Sequence, residues 1–135
     1  MKYLLDTNIL SELVRPNPKR RIVEQVALHQ STCASSATVW HELSFGLARL
    51  PASKKKSLVA AYLASLREWL TFHPYDDEAA AWHGAERARL EKLGVTPAFA
   101  DGQIAAVAAT RGLKLVTQNT KDFKRFRGLT VESWG

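Results

Sequence analysis

Carboxylates scattered along a chain become chemically interesting when folding gathers them. Hard divalent cations are held by oxygen, and Mg²⁺ takes one or two carboxylates while keeping several waters. Asp6, Glu42, Asp101 and Asp122 are the candidates for such a set in this sequence. An ion gripped by them would orient a phosphodiester, help to generate hydroxide and offset charge on a leaving oxygen. Asp101 gives the sharpest signal. On a helix it shares a face with Ile104, Ala105 and Ala108, at the i, i+3, i+4 and i+7 positions of a buried stripe. Burying an ionised carboxylate is costly unless it is paired or coordinates metal, and no lysine or arginine lies near Asp101 in sequence.

The elements that must position these acids follow from hydrophobic spacing. Residues 2–6 are a short apolar run closed by an acid, which predicts a strand. Ile9, Leu10, Leu13 and Val14 then predict a helix over 8–15 stopped by Pro16. The same spacing predicts helices over 19–29, over 37–50 up to Pro51, and over 53–70. Asp76 or Asp77 caps a further helix carried to Leu93 and ended by Gly94. Thr96 with Pro97 at the first helical position opens another that reaches Arg111 before Gly112. Strands are expected at 32–35, 72–75, 114–117 and 129–132. Strands separated by helices predict a three-layer α/β/α sandwich with a central, mostly parallel sheet, one domain over residues 1–135. Ligands of open α/β sheets bind beyond the carboxyl ends of the strands, and the four acids fall in or after those turns.

Taken singly, each acid also fits a structural role. Asp6 can cap the next helix, and Glu42 can be a solvated glutamate beside the inner stripe of Trp40, Leu43, Leu47 and Leu50. Asp101 becomes a cap if its helix begins late; counted from Thr96 and Pro97 it lies beyond the first turn. Asp122 can cap a short helix over 123–126. Their shared placement favours a joint site. Thr117 and Asn119 are placed to orient ligands or waters behind it, or to serve ordinary turn chemistry. Lys121, Lys124, Arg125 and Arg127 surround Asp122 and can engage phosphates, and Lys19, Arg20 and Arg21 form a second basic cluster.

Composition narrows the field. With 19 Lys and Arg against 13 Asp and Glu the net charge is +6, which attracts polyanions and makes nucleic acid a candidate partner. The lone Cys33 excludes a disulfide framework or a CxxC motif within the chain and reads as a small core residue. The run before Asp6 is too short for a secretory signal and no stretch is long enough for a membrane span, so a cytoplasmic protein is expected. His41 and Glu42 begin an HExxH motif, but Phe45 stands where its second histidine belongs. His29, His41, His73 and His83 are dispersed, and neither a phosphate-cradling glycine loop nor GxSxG occurs. Trp40, Trp69, Trp82 and Trp134 are assigned to packing.

Four ordered motifs span almost the whole chain: Asp6-Thr7-Asn8 after the first strand, Glu42-Leu43 with Gly46, Ala100-Asp101-Gly102-Gln103-Ile104-Ala105-Ala106, and Thr117 through Phe123. Together with the final segment 131–134 they resemble the PIN-domain ribonucleases, in particular the VapC-type and FitB-like toxins. The resemblance implies a compact α/β/α sandwich, a Mg²⁺ or Mn²⁺ site, hydrolysis of RNA, homodimers and a small antitoxin that blocks the active site in a larger complex. It implies Asp6 and Asp101 as principal metal ligands, Glu42 as the third acid and Asp122 as a more variable fourth. Gly102 and Gln118 stand where the family more often has alanine and arginine. The first is expected to loosen the helix start and the second to remove a phosphate contact. The competing expectations are a structure-specific DNA nuclease and a non-catalytic module that binds nucleic acid or a basic partner; a phosphoacceptor domain is more distant.

Overall fold

The computed structural model describes residues 1–135, with eleven regular elements of which five are strands. These are β1 (Tyr3–Leu5), α1 (Thr7–Glu12), α2 (Arg20–His29), β2 (Cys33–Ser36), α3 (Ala37–Ala48), α4 (Lys54–Trp69), β3 (Thr71–His73), α5 (Asp77–Lys92), α6 (Phe99–Thr110), β4 (Lys114–Val116) and β5 (Val131–Glu132). Short 3₁₀ turns at Gln30–Thr32 and Thr120–Asp122 join them. The sheet is parallel throughout, in the order β3-β2-β1-β4-β5, with helices packed around it as an α/β/α sandwich. β1 lies at its centre, Tyr3 facing Cys33 of β2 and Lys114 of β4. Its three residues are all buried, as expected for a strand covered on both faces. Leu4, Leu5, Ile104, Leu115 and Val116 join the same apolar core.

Caps and stops account for most boundaries. Ser36, Ser53 and Asp76 accept hydrogen bonds from Val39, Lys56 and Ala79 at the starts of α3, α4 and α5. Gly94, at φ 75°, ends α5: its own N–H donates to Glu91 and that of Val95 to Leu90. That closure corrects one sequence expectation. Val95 still belongs to the exit of α5, so Thr96 and Pro97 lie in the connection and α6 starts at Phe99 with Ala98 as its N-cap. α1 ends at Glu12 rather than Arg15, because Arg15 precedes Pro16 and such a residue disfavours helix. β3 starts one residue earlier than expected and stops at His73.

The tryptophans pack as expected. Trp134 is buried, its ring centroid 5.0 Å from Tyr3 and 5.2 Å from His29, while Trp40 meets Phe72 at 5.1 Å. Cys33 is a buried free thiol, its pKa pushed up to about 11 by desolvation. No helix is long and apolar enough to cross a membrane.

Candidate active site

Reading outward from β1, the chain proceeds to β2 and β3 on one side, whereas β4 and β5 occupy the other. The crevice of such a sheet opens between the two strands where the order reverses, here β1 and β4. Asp6 is the first residue beyond β1 and Thr117 the first beyond β4. The Asp6 N–H donates to Val116 O at 2.9 Å, and the Thr117 hydroxyl donates to Asp6 Oδ2 at 2.8 Å. Asn8 Nδ2 (3.2 Å) and the Asn119 N–H (3.0 Å) both donate to the same hydroxyl, so its single proton is directed at Asp6. Asp6 Oδ1 accepts from the Thr7 N–H at 2.8 Å, and Asp6 is the N-cap of α1. The capping role and a place in the crevice therefore coincide in one residue.

Glu42 comes from α3, which packs on α1; its Oε1 accepts from the Thr7 hydroxyl at 2.6 Å. Asp101 is half-buried in the first turn of α6. The late start of that helix places its carboxylate near the N-terminal end, where the backbone dipole favours negative charge. α6 is tied to α3 by the Thr38 hydroxyl, 3.3 Å from Gln103 Oε1. Gly102 follows Asp101 in α6. It is buried where a methyl group would collide with the His83 imidazole, so absence of a side chain is what lets α5 and α6 approach.

Asp6, Glu42 and Asp101, with Thr7, Asn8, Ser11 and Asn119, line one hollow of about 330 Å³. Asp122 ends the Thr120–Asp122 turn, exposed, and lines the adjoining cleft of about 610 Å³ with Asp101, Lys121, Lys124 and Arg125. No helix follows over 123–126, so Asp122 caps nothing there; Phe123 and Phe126 are buried anchors instead. Arg127 lies outside this cleft and donates its backbone N–H to Glu86 at 2.7 Å. In the second basic cluster Arg20 pairs with Glu24, while Lys19 Nζ donates to Gln118 Oε1 at 2.6 Å. Gln118 is accordingly a tie: its Nε2 donates to Asn8 O at 2.8 Å and to Glu12 Oε1 at 3.3 Å.

Electrostatics separates these acids from the rest. Burial pushes the Asp6 carboxyl up; hydrogen bonds from Thr117 and Thr7 pull it down, and the charges of Glu42 and Asp122 push it up again. Asp101 is pushed up to about 6, by desolvation first and then by Asp6, Asp122 and Glu42. None of the four acids joins an ion pair with lysine or arginine; the pairs present are Arg15–Glu12, Arg20–Glu24, Arg89–Glu86 and Arg111–Asp76. A set of hard oxygen donors that repel one another and lack a cation fits Mg²⁺ or Mn²⁺. As the side chains stand, no three of them close on a single point.

Sequence reasoning gave no part to Thr7, Ser11 or Glu12. Glu12 is buried and accepts from the Lys19 N–H at 3.0 Å, from Gln118 and from Arg15, fixing the end of α1 beside the crevice. A lone acid in the stripe of Ile9, Leu10 and Leu13 was its available signal. Thr7 and Ser11 carried none, since a hydroxyl in the first turn of a helix, as at Thr7, or near its end, as at Ser11, is ordinary.

Residues 3–129 match the PIN domain family. The chain is 32% identical over 134 residues to the tRNA(fMet)-specific endonuclease VapC of Salmonella typhimurium, covering 99% of this chain and 98% of that protein. It is 35% identical over 124 residues to the toxin FitB of Neisseria gonorrhoeae, covering 89% of each. The fold superposes on DNA-bound VapBC from Salmonella typhimurium with a TM-score of 0.89 at 30% identity, covering 100% of this chain and 99% of that one. With its motifs, its sheet order and these relatives in agreement, the chain belongs to the PIN domain family, among the VapC and FitB proteins.

Proposed function

We propose that residues 1–135 form a single nuclease domain, a divalent-metal-dependent endoribonuclease that acts as the toxin of a toxin–antitoxin pair. The observation that carries this reading is the uncompensated trio Asp6, Glu42 and Asp101 facing one hollow at the β1/β4 crevice. When bound, Mg²⁺ or Mn²⁺ supplies positive charge for the phosphate and for ionising the attacking water. The chain's own residues do the rest. Thr117 and the Thr7 N–H hold Asp6 in one orientation, and the Thr7 hydroxyl holds Glu42. Asp6 and Asp101 would hold the ion, Glu42 would help to hold it or accept a proton from water, and Asp122 would complete the negative rim. Asn119 lines the hollow and orients water. Lys121, Lys124 and Arg125 line the cleft beside Asp101 and receive the flanking phosphates of the strand.

The choice of RNA and of a toxin role draws on the relatives named VapC and FitB. One groove is proposed as the docking site of the antitoxin. An apolar groove of about 200 Å³ between α1, α3 and α4 begins at Glu42 and is lined by Leu43, Leu47, Val59 and Tyr62. An amphipathic peptide laid there would end at the acids. Homodimers within a larger toxin–antitoxin assembly complete the reading.

The test compares matched RNA and DNA oligonucleotides incubated with Mg²⁺, Mn²⁺ or EDTA. Cleavage of RNA that EDTA abolishes is expected. Preferential cleavage of DNA would make this a DNA nuclease, and equal cleavage by Asp101→Asn would remove the acids from the chemistry. Co-expression with a cognate antitoxin is expected to suppress cleavage.

A further inference from the structure

We propose that Phe99, with Arg87 beside it, is the stacking surface for an unpaired base of the RNA strand, next to the nucleotide whose phosphate meets Asp101; this rests on the endoribonuclease reading. Phe99 opens α6 two residues before Asp101, yet the residue is 52% exposed. A large apolar side chain at that position contributes little to folding while exposed. Its ring is nevertheless held. The His83 imidazole lies beneath it at a centroid distance of 4.8 Å, tilted by 52°, and the Arg87 guanidinium sits 5.4 Å from its centroid. His83 is itself fixed by Tyr75, whose hydroxyl is 2.8 Å from Nδ1, and by the close approach of Gly102.

The surroundings choose the occupant. Phe99 and Arg87 line a small hollow of about 150 Å³ that shares Thr96 and Pro97 with the cleft of Lys121, Lys124 and Arg125. That cleft in turn shares Asp101 with the acidic hollow. Acid, base and aromatic therefore follow one another along a continuous track, in the order a strand needs for a reacting phosphate, a flanking phosphate and a base. Single strands are bound by such pairings of basic grooves with aromatic or guanidinium faces, because every base has a π-face. Phe45 supplies the contrast: it is 55% exposed with Arg49 at 5.0 Å, but lines neither the cleft nor the acidic hollow.

The experiment uses a single-stranded RNA oligonucleotide that the wild type cleaves with Mn²⁺, and copies carrying one abasic nucleotide at each position flanking the cut. Phe99→Ala is expected to raise KM about tenfold or more while kcat stays within about twofold. Phe99→Trp restores KM, whereas Phe99→Leu, which keeps the packing on His83, does not. One abasic position costs the wild type the same factor but costs Phe99→Ala nothing, the signature of a shared contact. An unchanged KM for Phe99→Ala, a Leu variant equal to wild type, or equal abasic sensitivity in both proteins would overturn the stacking role and leave the ribonuclease reading standing. Failure of the wild type to cut any RNA would overturn both.

Discussion

Two sets of inward-facing carboxylates live in this molecule under opposite conditions. Glu86 sits in α5 with two donors from Arg89, each 2.8 Å away, and the Arg127 N–H at 2.7 Å; these hold its carboxyl below the usual range. Glu12 is likewise pulled down, first by the Lys19 N–H and then by Gln118 and Arg15. Asp6 and Asp101 are pushed the other way, first by burial and then by neighbouring acids: Glu42 and Asp122 act on Asp6, and Asp6, Asp122 and Glu42 act on Asp101. A carboxylate recruited for folding arrives with its donors. One held among other acids without a cation works against the fold, which is where function is sought.

The largest expected effect tests the second set. Asp101→Asn keeps shape and hydrogen-bonding capacity but removes the charge, and should lower kcat on RNA by about 10³-fold or more while the protein stays folded. Glu86→Ala should do the reverse. Removing one partner of a largely buried pair leaves Arg89 and the Arg127 N–H unmatched, a loss of about 2 to 3 kcal/mol in urea unfolding at pH 7, with kcat per folded molecule unchanged. Because the Glu86 carboxyl is lowered in the folded state, that stability difference is present above the ordinary glutamate pKa and fades as pH falls through the carboxylate range. If Glu86→Ala loses turnover without losing stability, the division between the two sets is wrong.

How far this division could be read in advance differs by residue. Period and stop signals locate the helices because Pro16, Pro51, Gly94 and Gly112 act locally, and each strand falls where an apolar run separates them. The acids at the ends of β1 and in α3 were visible as polar residues beside apolar runs. The start of α6 was not, since it depends on Val95 closing the end of α5, a contact made by backbone alone. That error also placed Asp101 two residues, about half a turn, too deep in its helix. The need for glycine at 102 was equally hidden: it arises from His83, 19 positions away in the chain and opposite it only after α5 and α6 pack. Thr117 was expected to orient ligands or waters, but its bond to Asp6, 111 residues away in the chain, belongs to the structure.

A smaller effect sharpens the comparison at Asp6, whose donors resemble those of the structural set while its charge environment does not. Thr117→Val deletes the hydroxyl that orients Oδ2 and leaves Asn8 and Asn119 without their acceptor. Loss of a hydrogen bond behind a metal ligand typically costs 10–100-fold in affinity or activity. The half-saturating Mn²⁺ concentration should rise by about that factor, and Thr117→Ser should restore it. A Val variant with wild-type metal dependence would return Thr117 to ordinary turn chemistry.

The smallest effect is the most discriminating, because it asks for stabilisation by a substitution that destroys activity. The Asp101 carboxyl is raised from 3.8 to about 6 in the folded protein, so the folded state binds this proton more tightly than the unfolded chain. Metal-free wild type therefore loses the contribution of this group as pH rises from about 4 through 6, a loss that Asp101→Asn does not share. In EDTA at pH 7.5 the variant should be the more stable by about 1 kcal/mol, after discounting for solvent screening at a half-buried group and for the favourable helix N-terminus. The difference should vanish below about pH 4, where both states of the wild type carry the proton. Saturating Mg²⁺ or Mn²⁺ adds stability to the wild type by mass action and should reverse the order. An Asp101→Asn protein less stable than wild type in EDTA at pH 7.5 would place Asp101 with Glu86, as a carboxylate the fold itself requires.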